Sequence, residues 1–345
     1  MSLNNNQLNF NYIYINSRNF NESMDSYYPI CIRDLSKCSN VHIAYFPLYH
    51  LPMLVRLIYA FHNSITVNNV VKLPWKNLWY PYYFKNPFPN DDRLCFLIAD
   101  HRFPIEYFRY LRKTYPKARI VKIHRDLISN FKRWFPEMTD EVVSELFDLS
   151  FTYDEGDSET YGYPWFCEYE SKLNDMTPSC DYGKYDVFFA GVVKDRLPKL
   201  MKVYNKLTLA GYRVHYYLLG VPKEQRLYYE GVEYGDSYLT YREMLQRSID
   251  AKCLLDINQG NSVGYTSRFL EAVMYNKILI TDNFAVQNHC MYNSDYIQCF
   301  KNVDDIDTDI LAQNIDKVDY HYKDEFSPIH MIRTIDNELT KRFIR

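Results

Sequence analysis

Short, near-continuous apolar runs alternate with amphipathic stretches along most of the chain. In the first half, residues 12–15, 41–46, 94–99, 119–123 and 149–153 read as strands, with helical spacing near 48–61, 104–115 and 139–147. Alternation of this kind implies a largely parallel sheet. Periodicity lapses from 171 to 184, where Asn174, Asp175, Pro178 and Gly183 punctuate the chain and mark an interdomain linker. A second series follows, with strands at 187–190, 214–219, 232–234, 253–257, 278–281 and 297–300 and helices near 197–210 and 241–249. In the tail, Ser327 reads as a cap and Pro328 as the first helical residue, and Ile332, Ile335, Leu339 and Phe343 share one face. The expected fold class is α/β, built as two doubly wound, Rossmann-like lobes.

Composition narrows the function classes. A chain of 345 residues with 47% hydrophobic residues supports two cores. It contains no apolar run long enough to span a bilayer, and the polar start at 2–11 lacks the order of a signal peptide, so a cytoplasmic protein is expected. Eight cysteines occur without the close pairing of a zinc or redox motif, so they read as reduced thiols and no metal site is expected. The net charge of −3 argues against a nucleic-acid binder. Between Arg93 and Arg133, however, eleven cations stand against three acids, with Phe103, Tyr107, Phe108, Tyr110, Trp134 and Phe135 interleaved. Such a stretch suits either peripheral contact with an anionic bilayer or an ordinary solvated helix face.

All ten glycines lie at or beyond Gly156, so a glycine-rich phosphate loop is excluded from the first half. The richest stretch is 264–271, Gly-Tyr-Thr-Ser-Arg-Phe-Leu-Glu, between the apolar run 253–257 and the helical spacing of Phe269, Leu270, Val273 and Met274. It opens a helix. Gly264 permits close backbone approach, Thr266 or Ser267 caps, and free amides with the helix dipole favour an anion, to which Arg268 adds a fork of donors. A diphosphate fits this chemistry. Glu271, three residues after Arg268, has the acceptors for a ribose diol, while the plainer alternative is an Arg–Glu ion pair on a capped helix.

The region 185–283 resembles the donor-binding domain of GT-B glycosyltransferases, particularly bacterial enzymes that build surface polysaccharide or lipopolysaccharide. The run 187–191 followed by Lys194, Asp195 and Arg196 is similar to that domain's first strand and basic loop. Residues 238–245 are similar to the loop and helix before the donor strand, and 264–271 to the diphosphate and ribose element. Segments 107–123 and 147–162 match more loosely. The resemblance implies a GT-B architecture with a central cleft: an acceptor-binding domain over 1–175, a nucleotide-sugar donor-binding domain over 176–325, and a helix over 326–345 packing across the lobes. One departure stands out. Retaining members often carry two glutamates eight positions apart, and the position eight before Glu271 is Val263.

The implied reaction is transfer of a sugar, of hexose type, from a nucleoside diphosphate donor to a saccharide or lipid-linked acceptor in surface glycan synthesis. No cofactor is expected; the nucleotide sugar is the donor substrate. Lys194, Arg196 and Arg268 are the cations expected to stabilise the departing diphosphate without a metal, helped by Gly264, Thr266 and Ser267. For an inverting reaction Asp100 or His101, after the run 94–99, is the expected general base, with His124 and Asp126 after 119–123 as alternatives. The competing readings are a nucleotide-sugar epimerase on the same architecture and a nucleotide-binding partner subunit without catalysis.

Overall fold

The computed structural model describes residues 8–17, 25–46, 51–88, 92–99, 103–166, 168–258 and 264–344. Contacts divide the chain into two compact units, one of residues 1–24, 32–166 and 328–345, the other of residues 25–31 and 167–327.

The first half runs β1 (Asn11–Ser17), α1 (Tyr27–Cys31), β2 (Val41–Phe46), α2 (Met53–His62), α3 (Ile65–Val70), β3 (Leu94–Ile98), α4 (Ile105–Thr114), β4 (Arg119–His124), α5 (Ile128–Trp134), α6 (Asp140–Leu146), β5 (Leu149–Thr152) and α7 (Glu155–Tyr161). Its sheet has the order β2-β1-β3-β4-β5, with every pairing parallel. The central strand β3, Leu-Cys-Phe-Leu-Ile, is buried at every position, as expected of a parallel strand covered on both faces. Ile13, Phe96, Tyr107, Phe108 and Leu111 form part of the core over it.

The second half continues with β6 (Val187–Val192), α8 (Leu197–Leu209), β7 (Val214–Leu219), β8 (Val232–Gly235), α9 (Tyr241–Asp250), β9 (Cys253–Asp256), α10 (Ser267–Met274), β10 (Ile278–Thr281), β11 (Ile297–Cys299) and α11 (Pro328–Phe343). The order β11-β10-β9-β6-β7-β8 is again wholly parallel. Strand order reverses between β6 and β9, and a doubly wound sheet leaves a ligand crevice outside the carboxyl ends of its strands at such a point. The start of α9 is fixed by a capping box, with Glu243 N donating to Thr240 Oγ1 at 3.2 Å and Thr240 N to Glu243 Oε2 at 2.8 Å.

The units do not divide at 175/176. Glu170 N donates to Phe326 O at 2.8 Å and Ser171 N to Cys31 O at 3.1 Å, so this backbone already belongs to the second unit. Helix α1 joins it as well, because Ile30 packs with Leu173, Tyr241, Leu245 and Ile249. The terminal helix α11 clusters with the first unit. Its Asp336 carboxylate accepts from Asn9 N at 3.0 Å, Phe10 N at 3.1 Å and the Tyr12 hydroxyl at 2.7 Å. Ile332, Ile335 and Leu339 are buried, and the Arg119 guanidinium lies 3.8 Å from the centre of the Phe343 ring.

The basic run from Arg93 to Arg133 turns its aromatic residues inward. Phe103, Tyr107, Phe108 and Phe131 are core residues. Several of its cations pair with acids on the surface, as in Lys117–Asp92 at 2.8 Å, Arg119–Asp148 at 3.0 Å and Lys132–Asp140 at 2.9 Å. The aromatic side of α4 thus faces the core, as on a solvated amphipathic helix.

Candidate functional site

At the carboxyl end of β6 the chain turns through Val193, Lys194 and Asp195 into α8. Lys194 is exposed, with φ at 44°, in the left-handed region. Arg196 lies just before the helix and faces back over the sheet. Its Nη1 donates to Ile257 O at 2.6 Å and its Nη2 to Val192 O, so one guanidinium joins the ends of β9 and β6. Its partners are carbonyls. Among the described residues no carboxylate forms an ion pair with it, and its buried Nε has no acceptor. Burial lowers its pKa, opposed by Asp256, Asp195 and Asp282 nearby.

The end of β9 is built around Asp256. Its Oδ2 accepts from the Thr266 hydroxyl at 2.9 Å and the Thr281 hydroxyl at 3.0 Å, which ties β9, β10 and the start of α10 together. Burial pushes its carboxyl up to about 6, although both hydroxyls favour the ionised form. Thr266 is the N-cap, accepting from Phe269 N at 3.3 Å, and Ser267 is the first helical residue. Gly264 is buried and its carbonyl accepts from Asn283 Nδ2 at 3.0 Å. Beside this lies Asp282, whose Oδ2 is 2.6 Å from Lys199 Nζ and whose Oδ1 accepts from Asn258 N at 2.7 Å.

Arg268 and Glu271 face each other. Nη1 of Arg268 lies 2.8 Å from both Glu271 oxygens, and Nη2 donates to Ala190 O of β6 at 3.0 Å. Glu271 is fully buried, and it also accepts from the Tyr241 hydroxyl at 3.1 Å and Ser248 Oγ at 3.3 Å, both on α9. The single proton of the Tyr241 hydroxyl is shared with Glu170, which lies nearer to it. Burial works against the charge on Arg268, but Glu271 and Tyr241 together hold its pKa above the ordinary value. Glu271 thus pairs with Arg268 inside the unit, and Arg268 has its charge balanced.

The structure therefore brings Arg196, Gly264, Thr266 and Ser267 to the β6/β9 reversal with Lys194 beside them, and places Arg268 and Glu271 beneath as a buried pair. Asp100 and His101 lie outside the described residues. His124, the last residue of β4, is buried and stacks on Tyr163 at 5.8 Å, and Asp126 Oδ1 accepts from Leu127 N at 2.8 Å and Asn130 Nδ2 at 3.1 Å. Sequence reading missed Asp256, Lys199, Asp282 and Tyr241. The signal for the two aspartates was their place one step from a strand's carboxyl end. Among the described residues no group of three or more His, Cys, Asp or Glu side chains is arranged to hold a metal.

No family model and no curated protein matches the sequence. Solved structures do match the fold. Anabaena HepE in complex with UDP-glucose is 10% identical, covering 96% of this chain and 99% of its own with a TM-score of 0.56. OtsA, a trehalose-6-phosphate synthase, is 11% identical, covering 97% and 99% at 0.52. A UDP-N-acetylglucosamine 2-epimerase described as putative, from Listeria monocytogenes, is 9% identical, covering 96% of both chains at 0.52. At these identities the likeness is one of fold: the two doubly wound α/β units are of GT-B type.

Proposed function

We propose that this GT-B-fold protein is a glycosyltransferase moving a sugar from a nucleoside diphosphate donor to a saccharide or lipid-linked acceptor. The observation that carries the reading is the placement of Arg196. An arginine without a carboxylate partner bridges the ends of β6 and β9, where the starts of α8 and α10 converge with Lys194 alongside. Breaking the bond from the anomeric carbon to the diphosphate leaves its electron pair on the diphosphate oxygen. Arg196, Lys194 and the helix-start amides of Ser267 and Arg268 supply the positive field that developing charge needs. No divalent ion is required by this arrangement.

Arg268 and Glu271 act in this scheme as a positioning pair. They fix the first turn of α10 against β6 through Ala190 O, and Thr266 fixes it against β9 through Asp256. The acceptor hydroxyl loses its proton to a base, for which Asp100 and His101, which follow β3 in the sequence, are the proposed candidates. A hexose donor, a place in surface glycan synthesis and a cytoplasmic location belong to the same proposal. HepE, crystallised with UDP-glucose, supports a uridine nucleotide as the first donor to try.

Epimerisation of a nucleotide sugar is the second reading, favoured by the Listeria neighbour's equal coverage of both chains. A thermal-shift screen with nucleoside diphosphates and their sugars tests donor binding. A ligand present at a hundred times its Kd adds roughly 2.7 kcal/mol to native stability. Failure of every nucleoside diphosphate to raise the Tm would overturn the assignment.

A further inference from the structure

In a water-exposed amphipathic helix the apolar stripe faces the core, and on α2 this sense is reversed. Met53, Leu54, Leu57, Ile58 and Phe61 fall on one face, and all are exposed, Leu54 at 70% and Phe61 at 63%. The buried residue of this helix is Tyr59, on the opposite side, where its ring meets Trp79 edge-on at 5.2 Å. In the segment that follows, Val70, Leu78 and Trp75 are exposed as well, Trp75 at 73% with φ at 59°. Soluble monomers rarely leave a whole apolar helix face exposed without a partner for it.

The patch has a firm backing. Trp79 Nε1 donates to His62 Nδ1 at 2.7 Å, and His62 Nε2 meets Pro74 O at 2.8 Å. Asn68 clasps the turn, donating to Ser64 O at 2.7 Å and accepting from Leu73 N at 3.1 Å. Charge then selects the partner. From residue 35 to residue 90 the sequence contains no Asp or Glu, although the whole chain has 43 and a net charge of −3. The cations of the patch region are Arg56, Lys72, Lys76 and Lys85, with Lys72 and Lys85 exposed.

We propose that the face formed by α2, α3 and residues 71–82 docks on a bilayer containing anionic lipid. Leucine, isoleucine and phenylalanine enter the boundary between headgroups and acyl chains, Trp75 lies at headgroup depth, and the lysines meet lipid phosphates. A second copy of the chain fits less well. In a two-fold dimer this face would meet itself, and the segment that forms it, residues 51–88, would bring cations and no acid of its own to the contact.

The test is flotation of the full chain with vesicles of phosphatidylcholine and phosphatidylglycerol in equal parts, against phosphatidylcholine alone. Wild type should float with the anionic vesicles and less so as salt rises. The double variant Leu57→Glu, Phe61→Glu should lose at least about tenfold in partitioning, since each large apolar side chain contributes more than that on burial, with no fall in Tm. Should that variant fold poorly, quenching by brominated anionic lipid supplies the second measurement: it should be clear in wild type and much reduced in Trp75→Phe. Absence of wild-type flotation, equal flotation of a folded double variant, or quenching unchanged in Trp75→Phe would overturn the proposal. So would a concentration-dependent dimer that the double variant abolishes. None of these measurements involves turnover, so the result is independent of the donor-site reading.

Discussion

Nη1 of Arg268 lies 2.8 Å from both oxygens of Glu271, within a single turn of α10 and wholly inside the second unit. Such a pair holds geometry more than it adds stability, because desolvation offsets most of its attraction. Removing one partner is a different matter. Glu271→Ala leaves the guanidinium buried without its counter-charge and should cost about 3–5 kcal/mol in chemical denaturation. Glu271→Gln should weaken binding of a ribonucleotide donor and its deoxyribose analogue equally, as expected when Glu271 acts through Arg268. Coupling between the mutation and the missing hydroxyl, read from titrations of both ligands, would instead place the carboxylate on the ribose.

Arg196 carries the charge argument. Arg196→Ala should lower kcat/KM by about a hundredfold, the scale of losing one preorganised donor to a developing anion. Arg196→Lys keeps the charge but cannot bridge Val192 O and Ile257 O. It should recover part of the turnover without recovering the Tm. Near-normal kinetics in the alanine variant would remove Arg196 from the site.

Asp256 links stability to pH. Its pKa is raised on folding from 3.8 to about 6, chiefly by burial. An acid raised on folding contributes stability that is fully present below its unfolded value, about pH 4, and is lost as pH rises through about 6. Asp256→Asn retains an oxygen for Thr266 and Thr281 and removes the charge. Its stability relative to wild type should therefore rise between about pH 4 and pH 7, by roughly 3 kcal/mol. Parallel pH profiles for the two proteins would show that Asp256 does not titrate in this range.

Turnover should persist in excess chelator, because side chains and helix starts provide the charge that a divalent ion would otherwise supply. Loss of activity restored by magnesium or manganese would contradict that part of the mechanism.

The strands of both units were legible because parallel strands buried on two faces read as near-continuous apolar runs, as at Leu94–Ile98 and in the Ile-Leu-Ile of β10. Helices α5 and α7 were not; α7, Glu-Gly-Asp-Ser-Glu-Thr-Tyr, has no apolar period and is held by its Asp154 cap. For α2 periodicity gave the helix, but which way its apolar face points depends on the ring packing of Tyr59 with Trp79. Spacing likewise put Arg268 and Glu271 on one face. Their pairing inward depends on Tyr241 and Ser248, 30 and 23 residues upstream of Glu271, a relation no local pattern encodes. Asp256 read as one residue within a strand over 253–257, and its role emerged only with the Thr266 and Thr281 hydroxyls beside it.

The most direct test of the central claim is product analysis after incubating the protein with a nucleoside diphosphate sugar and a panel of saccharide and lipid-linked acceptors. Chromatography and mass spectrometry should show free nucleoside diphosphate rising in step with an acceptor extended by one sugar, and both signals should fall together in Arg196→Ala. A sugar changed in configuration but still joined to its nucleotide, or a donor bound and left intact with every acceptor, would contradict the account.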